Sequence, residues 1–309
     1  MTVTMTRRDP RRPVWEERPT PAGQAGKGVV LFIMLAVILL PLYSVVITSF
    51  STLSSVTSAG GLVTVPHGLT LNAYRQVFGS PYLMHSLYVS LGVTAVGTVV
   101  SMVVSVLCAY GLSRPRSFGH RTILITLVIT LFFSGGIVPT FLVVADALNG
   151  YDQYWTLILP SAVSVFNILV MRGFFSSTAQ ELVDAARVDG AGHWRTLWSV
   201  VLPTSRPIVV VMTLFYAVGY WNSFFNALLY LQDGNKWPLQ MIIYTYTLQG
   251  SSMPGTGTTN TGQYLGHQAI SPLSIQMAVV TLTLLPILLV YPFVQRHFTK
   301  GMLLGAIKG

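Results

Sequence analysis

Charged side chains are scarce in this sequence. Asp, Glu, Lys and Arg make up 9% of its 309 residues, while 52% are hydrophobic. Soluble globular chains carry nearer a quarter charged residues, so water is not the solvent for most of this one. Cysteine is almost absent: Cys108 stands alone in an apolar run, which excludes an intrachain disulfide and leaves the redox compartment unread. No G-x-x-x-x-G-K-[ST] phosphate loop occurs, and GQAGKG at Gly23 has the wrong spacing, so the chain is not expected to cradle ATP. His67, His85, His120, His193, His267 and His297 are dispersed, with no pair at metal-ligand spacing and no Ser/His/Asp set. No catalytic residue, metal or cofactor is expected in the chain.

What the sequence does have is long charge-free runs. They extend over 28–74, 76–113, 122–145, 153–171, 207–232 and 237–295. Each holds the roughly 20 apolar residues that a helix needs to cross a bilayer core. Backbone groups in lipid must be satisfied internally, so the runs predict helices near 28–50, 84–112, 121–145, 154–175, 207–231 and 274–295. The first is far longer than a signal-peptide core, which argues against cleavage. The Pro/Arg-rich residues 1–27 read as a disordered basic tail ahead of a transmembrane domain, 28–309.

All the basic residues except Arg75 and Lys236 fall in the N-terminal tail, the second and fourth connections and the C-terminal tail. The positive-inside rule then places both termini in the cytoplasm of a multi-pass cell-membrane protein. Charge spread over a membrane face, without a groove-shaped patch, also argues against nucleic acid despite a net charge of +9. On the opposite side, 233–272 includes the polar stretch GSSMPGTGTTNTGQYLG, either a mobile loop or a docking surface for an external partner.

One connection is out of keeping with its apolar flanks. Within 176–206 the chain reads ELVDAARVDGAGHWRTLWSVVLP. Ser177 and Thr178 precede Gln180 and Glu181 at capping-box spacing, which predicts a helix start, and Gly190 and Gly192 are natural stops. Trp194, Leu197, Trp198 and Val201 then fall at i, i+3, i+4 and i+7, the spacing of a single helix face. Pro203 and Pro207 break the chain before it re-enters the membrane. Two short helices are expected on the inner surface. They could lie on the headgroups, but Glu181, Asp184 and Asp189 suit a basic protein cleft better than an anionic leaflet.

The run Asp184-Ala185-Ala186, three residues, Gly190, nine residues, Val200, one residue, Leu202-Pro203 resembles the EAA loop of ABC importer permeases, with Asp for Glu and Val for Ile. YWNSFFNALLYL and YPFVQRHFTKGMLLGAIKG are similar to the carbohydrate, maltose-permease-like branch and its oligosaccharide members. The resemblance runs from about Leu83 to the C-terminus. It implies an all-α integral membrane protein with six transmembrane helices and the type I ABC importer fold. It further implies a second homologous permease, two cytoplasmic ATPase chains that hold the ATP and Mg, and an extracytoplasmic sugar-binding protein as partners. Glu181, Asp184, Ala185, Ala186, Asp189, Gly190, Leu202 and Pro203 would form the loop that receives the ATPase.

A secondary transporter or membrane-embedded enzyme is the competing class. Proton-coupled transporters carry acids or His within their spans, whereas the one acid near a span here is Asp146, and no inverted repeat is visible. The fifth run is the least lipid-like. Tyr216 and Tyr220 fall at i, i+4, as do Asn222 and Asn226, with Asn167 a similar candidate in the fourth. Buried Asn is costly without a partner, so these residues either line a sugar pathway or join helices to one another.

Overall fold

The first helix starts where its capping chemistry dictates. Thr20 accepts a hydrogen bond from the Gly23 N–H at 3.2 Å and Pro21 opens the helix, so α1 spans Pro21–Ser49. This corrects the expected boundary, because 21–27 are helical and only 1–19 of the expected tail remain, outside the described residues. The computed structural model describes 20–114, 119–133, 135–178, 180–248, 264–265 and 268–306. The polar run 250–263, Arg116 and most of the basic N-terminal tail therefore also lie outside it.

Short helices α2 (Leu53–Ala59) and α3 (Asn72–Gly79) lead to α4, Pro81–Leu112, which repeats the same start with Ser80 as cap and Pro81 in its first turn. α4 is the centre of the molecule. It packs against α7 (Val165–Thr178), α11 (Arg206–Trp221) and α13 (Leu239–Leu248), while α1 lies against α14 (Pro272–Ala306). Buried Ser86, Ser90, Ser101 and Ser105 let neighbouring helices approach α4 closely. The α1 side chains from Val29 to Leu40 are mostly exposed, Phe32 at 73%, which suits hydrocarbon and not water. Among the described residues, the strand content is the pair β1 (Tyr264–Leu265) and β2 (Gln268–Ala269).

α1, α4 and Pro272–Pro292 of α14 are each long and apolar enough to cross a membrane, or six candidates result if each bent pair is one span. Three expected spans are not straight. The third is divided into α5 (His120–Phe132) and α6 (Ile137–Leu142) with a 111° turn between them, and continues as a π turn, Val143–Ala147. Gly135 and Gly136 stand at that turn, the poorest helix formers after proline. The fourth begins as two 3₁₀ turns, Tyr154–Leu157 and Leu159–Ser161, and bends 50° into α7, since Pro160 has no N–H to continue a helix. The fifth ends as α11 at Trp221 and resumes as α12, Phe225–Tyr230. There the Asn222 amide donates to the Val218 carbonyl at 2.9 Å and the chain turns locally, a competition with the helix ladder that Asn side chains favour.

Candidate functional site

Residues 176–206 form two helical rods joined at one glycine. α8, Gln180–Val188, closes with the Ala191 N–H on the Ala186 carbonyl (2.9 Å) and the Gly190 N–H on the Arg187 carbonyl (3.0 Å). Gly190 sits at φ +76°, the left-handed conformation that this paired closure requires. The helix starts at Gln180, as expected, while α7 runs through Thr178, and Ser177 donates to the Phe174 carbonyl from inside α7.

The second rod comprises α9 (His193–Thr196), a π turn at Leu197–Val201 and α10 (Leu202–Thr204), and turns 86° into α11. Its expected single face is split. Leu197 and Val201, each 1% exposed, insert among Ala109 and Leu112 of α4, Ile168 and Met171 of α7, and Ile208 and Met212 of α11. Trp194 and Trp198, each 66% exposed, point away. At helical pitch the two pairs lie on either side of one stripe, and the edge of the packed surface passes between them.

Of the other residues singled out in this loop, Asp184 is exposed and meets Arg187 at 3.4 Å, an open pair that adds little stability. Ala185, Asp189, Gly190 and Pro203 are exposed, whereas Ala186 and Leu202 are half-buried. Glu181 belongs to α8, and its side chain lies outside the described residues. A neighbouring group had no signal in the sequence. Tyr110 at the end of α4 donates to the His193 carbonyl at 2.9 Å, and the Arg114 guanidinium contacts the His193 ring and the Tyr110 hydroxyl. Burial and, after it, nearby Arg187 hold the Arg114 guanidinium below its ordinary range. The start of the second rod is thus clamped to α4 by residues 79 positions apart.

The fifth-span candidates divide. Tyr216 and Tyr220 are buried, and their hydroxyls meet Ser105 and Ser101 of α4 at 2.6 and 2.8 Å. Tyr216 also accepts from the Ser164 N–H at 3.2 Å, and Tyr220 donates to the Ile158 carbonyl at 3.0 Å. Asn222 and Asn226 fall on different sides of the helix break, which corrects their expected i, i+4 pairing; Asn226 donates to the Ser161 hydroxyl at 3.1 Å. Beside these residues an open cleft of about 670 Å³ is lined by Ser161, Ser164, Asn167, Tyr216, Tyr220 and Ser223 among others. The structure brings Asn167, Tyr216 and Tyr220 to one cleft and leaves Asn222 and Asn226 out of its lining.

The end of the molecule away from 176–206 is tied by Asp152. Its carboxylate accepts from the Gln232 and Asp233 N–H groups at 2.7 and 2.8 Å, and Lys236 donates to its carbonyl at 2.8 Å. The Asp233 N–H first, then the Gln232 N–H and Lys236, hold the carboxyl below the usual carboxylate range against partial desolvation.

Residues 101–304 match the family described as "Binding-protein-dependent transport system inner membrane component". The chain belongs to that family. The permease is also 40% identical to the polygalacturonan/rhamnogalacturonan transport system permease protein YtcP of Bacillus subtilis, over 91% of this chain and 96% of that one. It is 38% identical to Protein LplC of the same organism, over 89% and 90% of the two chains. The structure superposes with a TM-score of 0.80 and 27% identity on a chain of a bacterial ABC transporter involved in import of the acidic polysaccharide alginate, covering 92% of the permease and 99% of that chain. The resemblance to ABC importer permeases read from the sequence therefore holds, and the permease is a membrane protein with that fold.

Proposed function

We propose that the permease is the membrane-spanning subunit of an ATP-driven importer that moves a sugar, an oligosaccharide, delivered by an extracytoplasmic binding protein. The observation that carries this is the double character of 176–206. Leu197 and Val201 are held by three span ends, while Trp194, Trp198 and Val188 (88% exposed) leave apolar surface uncovered on the same loop as exposed Asp184 and Asp189. Apolar surface of that kind suits a protein partner. A push on it reaches α4, α7 and α11 together.

In this reading the chain crosses the membrane six times with both termini in the cytoplasm, and 176–206 faces two cytoplasmic ATPase chains that hold the ATP and Mg. A second, homologous permease completes the pore. Sugar cargo is supported by the names of the relatives, which refer to polysaccharide transport. The secondary-transporter and membrane-enzyme alternatives have less support, because the family matched is one of binding-protein-dependent transport systems.

The test is orientation followed by coupling. In a Cys108→Ser background, Ser54→Cys should react with an impermeant thiol reagent from outside intact cells, and Arg195→Cys should not. Asp184→Lys in the reconstituted importer should keep membrane insertion and lose ATP-coupled uptake. Labelling of Arg195→Cys from outside would overturn the reading.

A further inference from the structure

The second rod of 176–206 is fastened to the span ends in two chemically different ways. Leu197 and Val201 pack among α4, α7 and α11, a non-directional contact that leaves the rod free to roll about it. One helical turn earlier, polar groups fix its orientation. The Tyr110 hydroxyl of α4 donates to the His193 carbonyl at 2.9 Å and accepts from the Arg114 guanidinium, which also reaches Nδ1 of the His193 ring. The guanidinium lies over the Tyr110 ring, 4.2 Å from its centroid, so these side chains brace one another. Trp194 and Trp198 face outward from the same rod. A load on the tryptophans would turn a rod held by Leu197 and Val201 alone, and the polar contact resists that turn.

We propose that Tyr110 and Arg114 are positioning residues for energy coupling: they lock the start of the second rod to α4, and a proton on the His193 ring releases the lock. The proposal rests on the importer reading above, in which ATPase chains press on 176–206. It adds the residues that keep this pressure from being lost as rotation. A guanidinium only donates, so the ring nitrogen it meets must accept, which a neutral imidazole does and an imidazolium cannot. His193 is exposed, so protons reach it from the surrounding water. The charged groups around the clasp offer a protonated ring no compensation. Arg187 of α8 pairs with Asp184 at 3.4 Å, Arg172 of α7 donates to the Leu112 carbonyl at 2.8 Å, and Arg195 is on the rod itself. Among the described residues no acid forms an ion pair with the ring. Burial and, after it, Arg187 already hold the Arg114 guanidinium below its ordinary range, so a positive ring beside it would be repelled.

The experiment uses the complete importer, with partner permease, ATPase chains and binding protein, in proteoliposomes supplied with a polysaccharide digest. Sugar imported per ATP hydrolysed is measured while the pH on the ATPase side alone is varied over about 5 to 8, where histidine changes charge. The wild type should lose coupling roughly tenfold toward the acid end, the effect of one lost charge-assisted hydrogen bond. His193→Asn keeps an acceptor in the place of Nδ1 at every pH, and should hold the wild-type neutral coupling with no acid loss. Arg114→Lys retains the charge without the planar fork, and should be uncoupled at every pH with a normal yield of complex. Four results overturn the proposal: a wild type indifferent to acid, an acid loss of the same size in His193→Asn, wild-type coupling in Arg114→Lys, or a reduced yield of Arg114→Lys complex whose assembled fraction couples normally. Absence of any ATP-dependent sugar import by the wild type at any pH would instead overturn the importer reading itself, and this proposal with it.

Discussion

The second rod of 176–206 and the cleft wall of α11 both use aromatic residues at i, i+4, and they use them in opposite ways. Trp194 and Trp198 are left outside the fold, each 66% exposed, while Tyr216 and Tyr220 are drawn in and bonded across to α4. What separates the two cases is the company each pair keeps. Leu197 and Val201 already satisfy the packed side of the rod, so the tryptophans are surplus to it. The tyrosines are themselves part of a buried layer with Val93, Leu157 and Met241, and their hydroxyls are met by the serines of α4. Aromatic spacing alone does not distinguish a docking face from a core.

The largest effect should come from breaking the buried half of the rod. Leu197→Ala removes a fully buried side chain at the junction of three helices, a change that costs about 2–5 kcal/mol in comparable cores. The melting temperature of the purified permease should fall, and ATPase-coupled uptake should go with it. Trp198→Ala probes the exposed half. Melting should be unchanged, while the ATPase chains should bind about 2 kcal/mol more weakly if the indole anchors that interface, a difference measurable by titrating ATPase onto permease in nanodiscs. A reversed pattern, with Trp198→Ala melting early and binding normally, would erase the contrast drawn between the pairs.

Tyr216→Phe sharpens the contrast from the other side. It removes one hydroxyl that meets Ser105 and Ser164, and should lower stability by about 1 kcal/mol with little change in sugar import. A large import defect at full stability would return Tyr216 to the cargo pathway. The smallest effect is expected at Asp152. Its folded pKa lies below its unfolded value, so the stabilisation is fully present above the unfolded pKa of about 3.9 and fades as pH falls through the folded one. Asp152→Asn should therefore melt slightly below wild type at pH 7, with the gap narrowing below about pH 4.

Composition and charge-free runs made the helical, membrane-embedded class legible, because lipid leaves the backbone few alternatives. The turn at Gly190 was equally legible, since its signal is local. Other features had no local signal. The pairing of Ser105 with Tyr216 joins residues 111 apart, and the Arg114–His193 contact joins residues 79 apart. Asn222 was misread for a related reason: its spacing to Asn226 presumed an unbroken helix, and its own amide is bonded where that helix ends. Asn167 could be named from its polarity in an apolar run, but its place on the cleft wall emerges only from the packing around it.

Gly97 lies on the face of α4 opposite the Tyr220 ring, so close that a Cβ there would stand 2.8 Å from the ring carbon Cζ. A ring seated that deeply acts as a key in a slot. α4 and α11 cannot slide past each other by a helical turn without withdrawing it. A transport cycle must therefore carry these two helices as one stiff plank, and concentrate its motion where the chain is already bent: at the 86° corner before α11 and the 50° bend before α7.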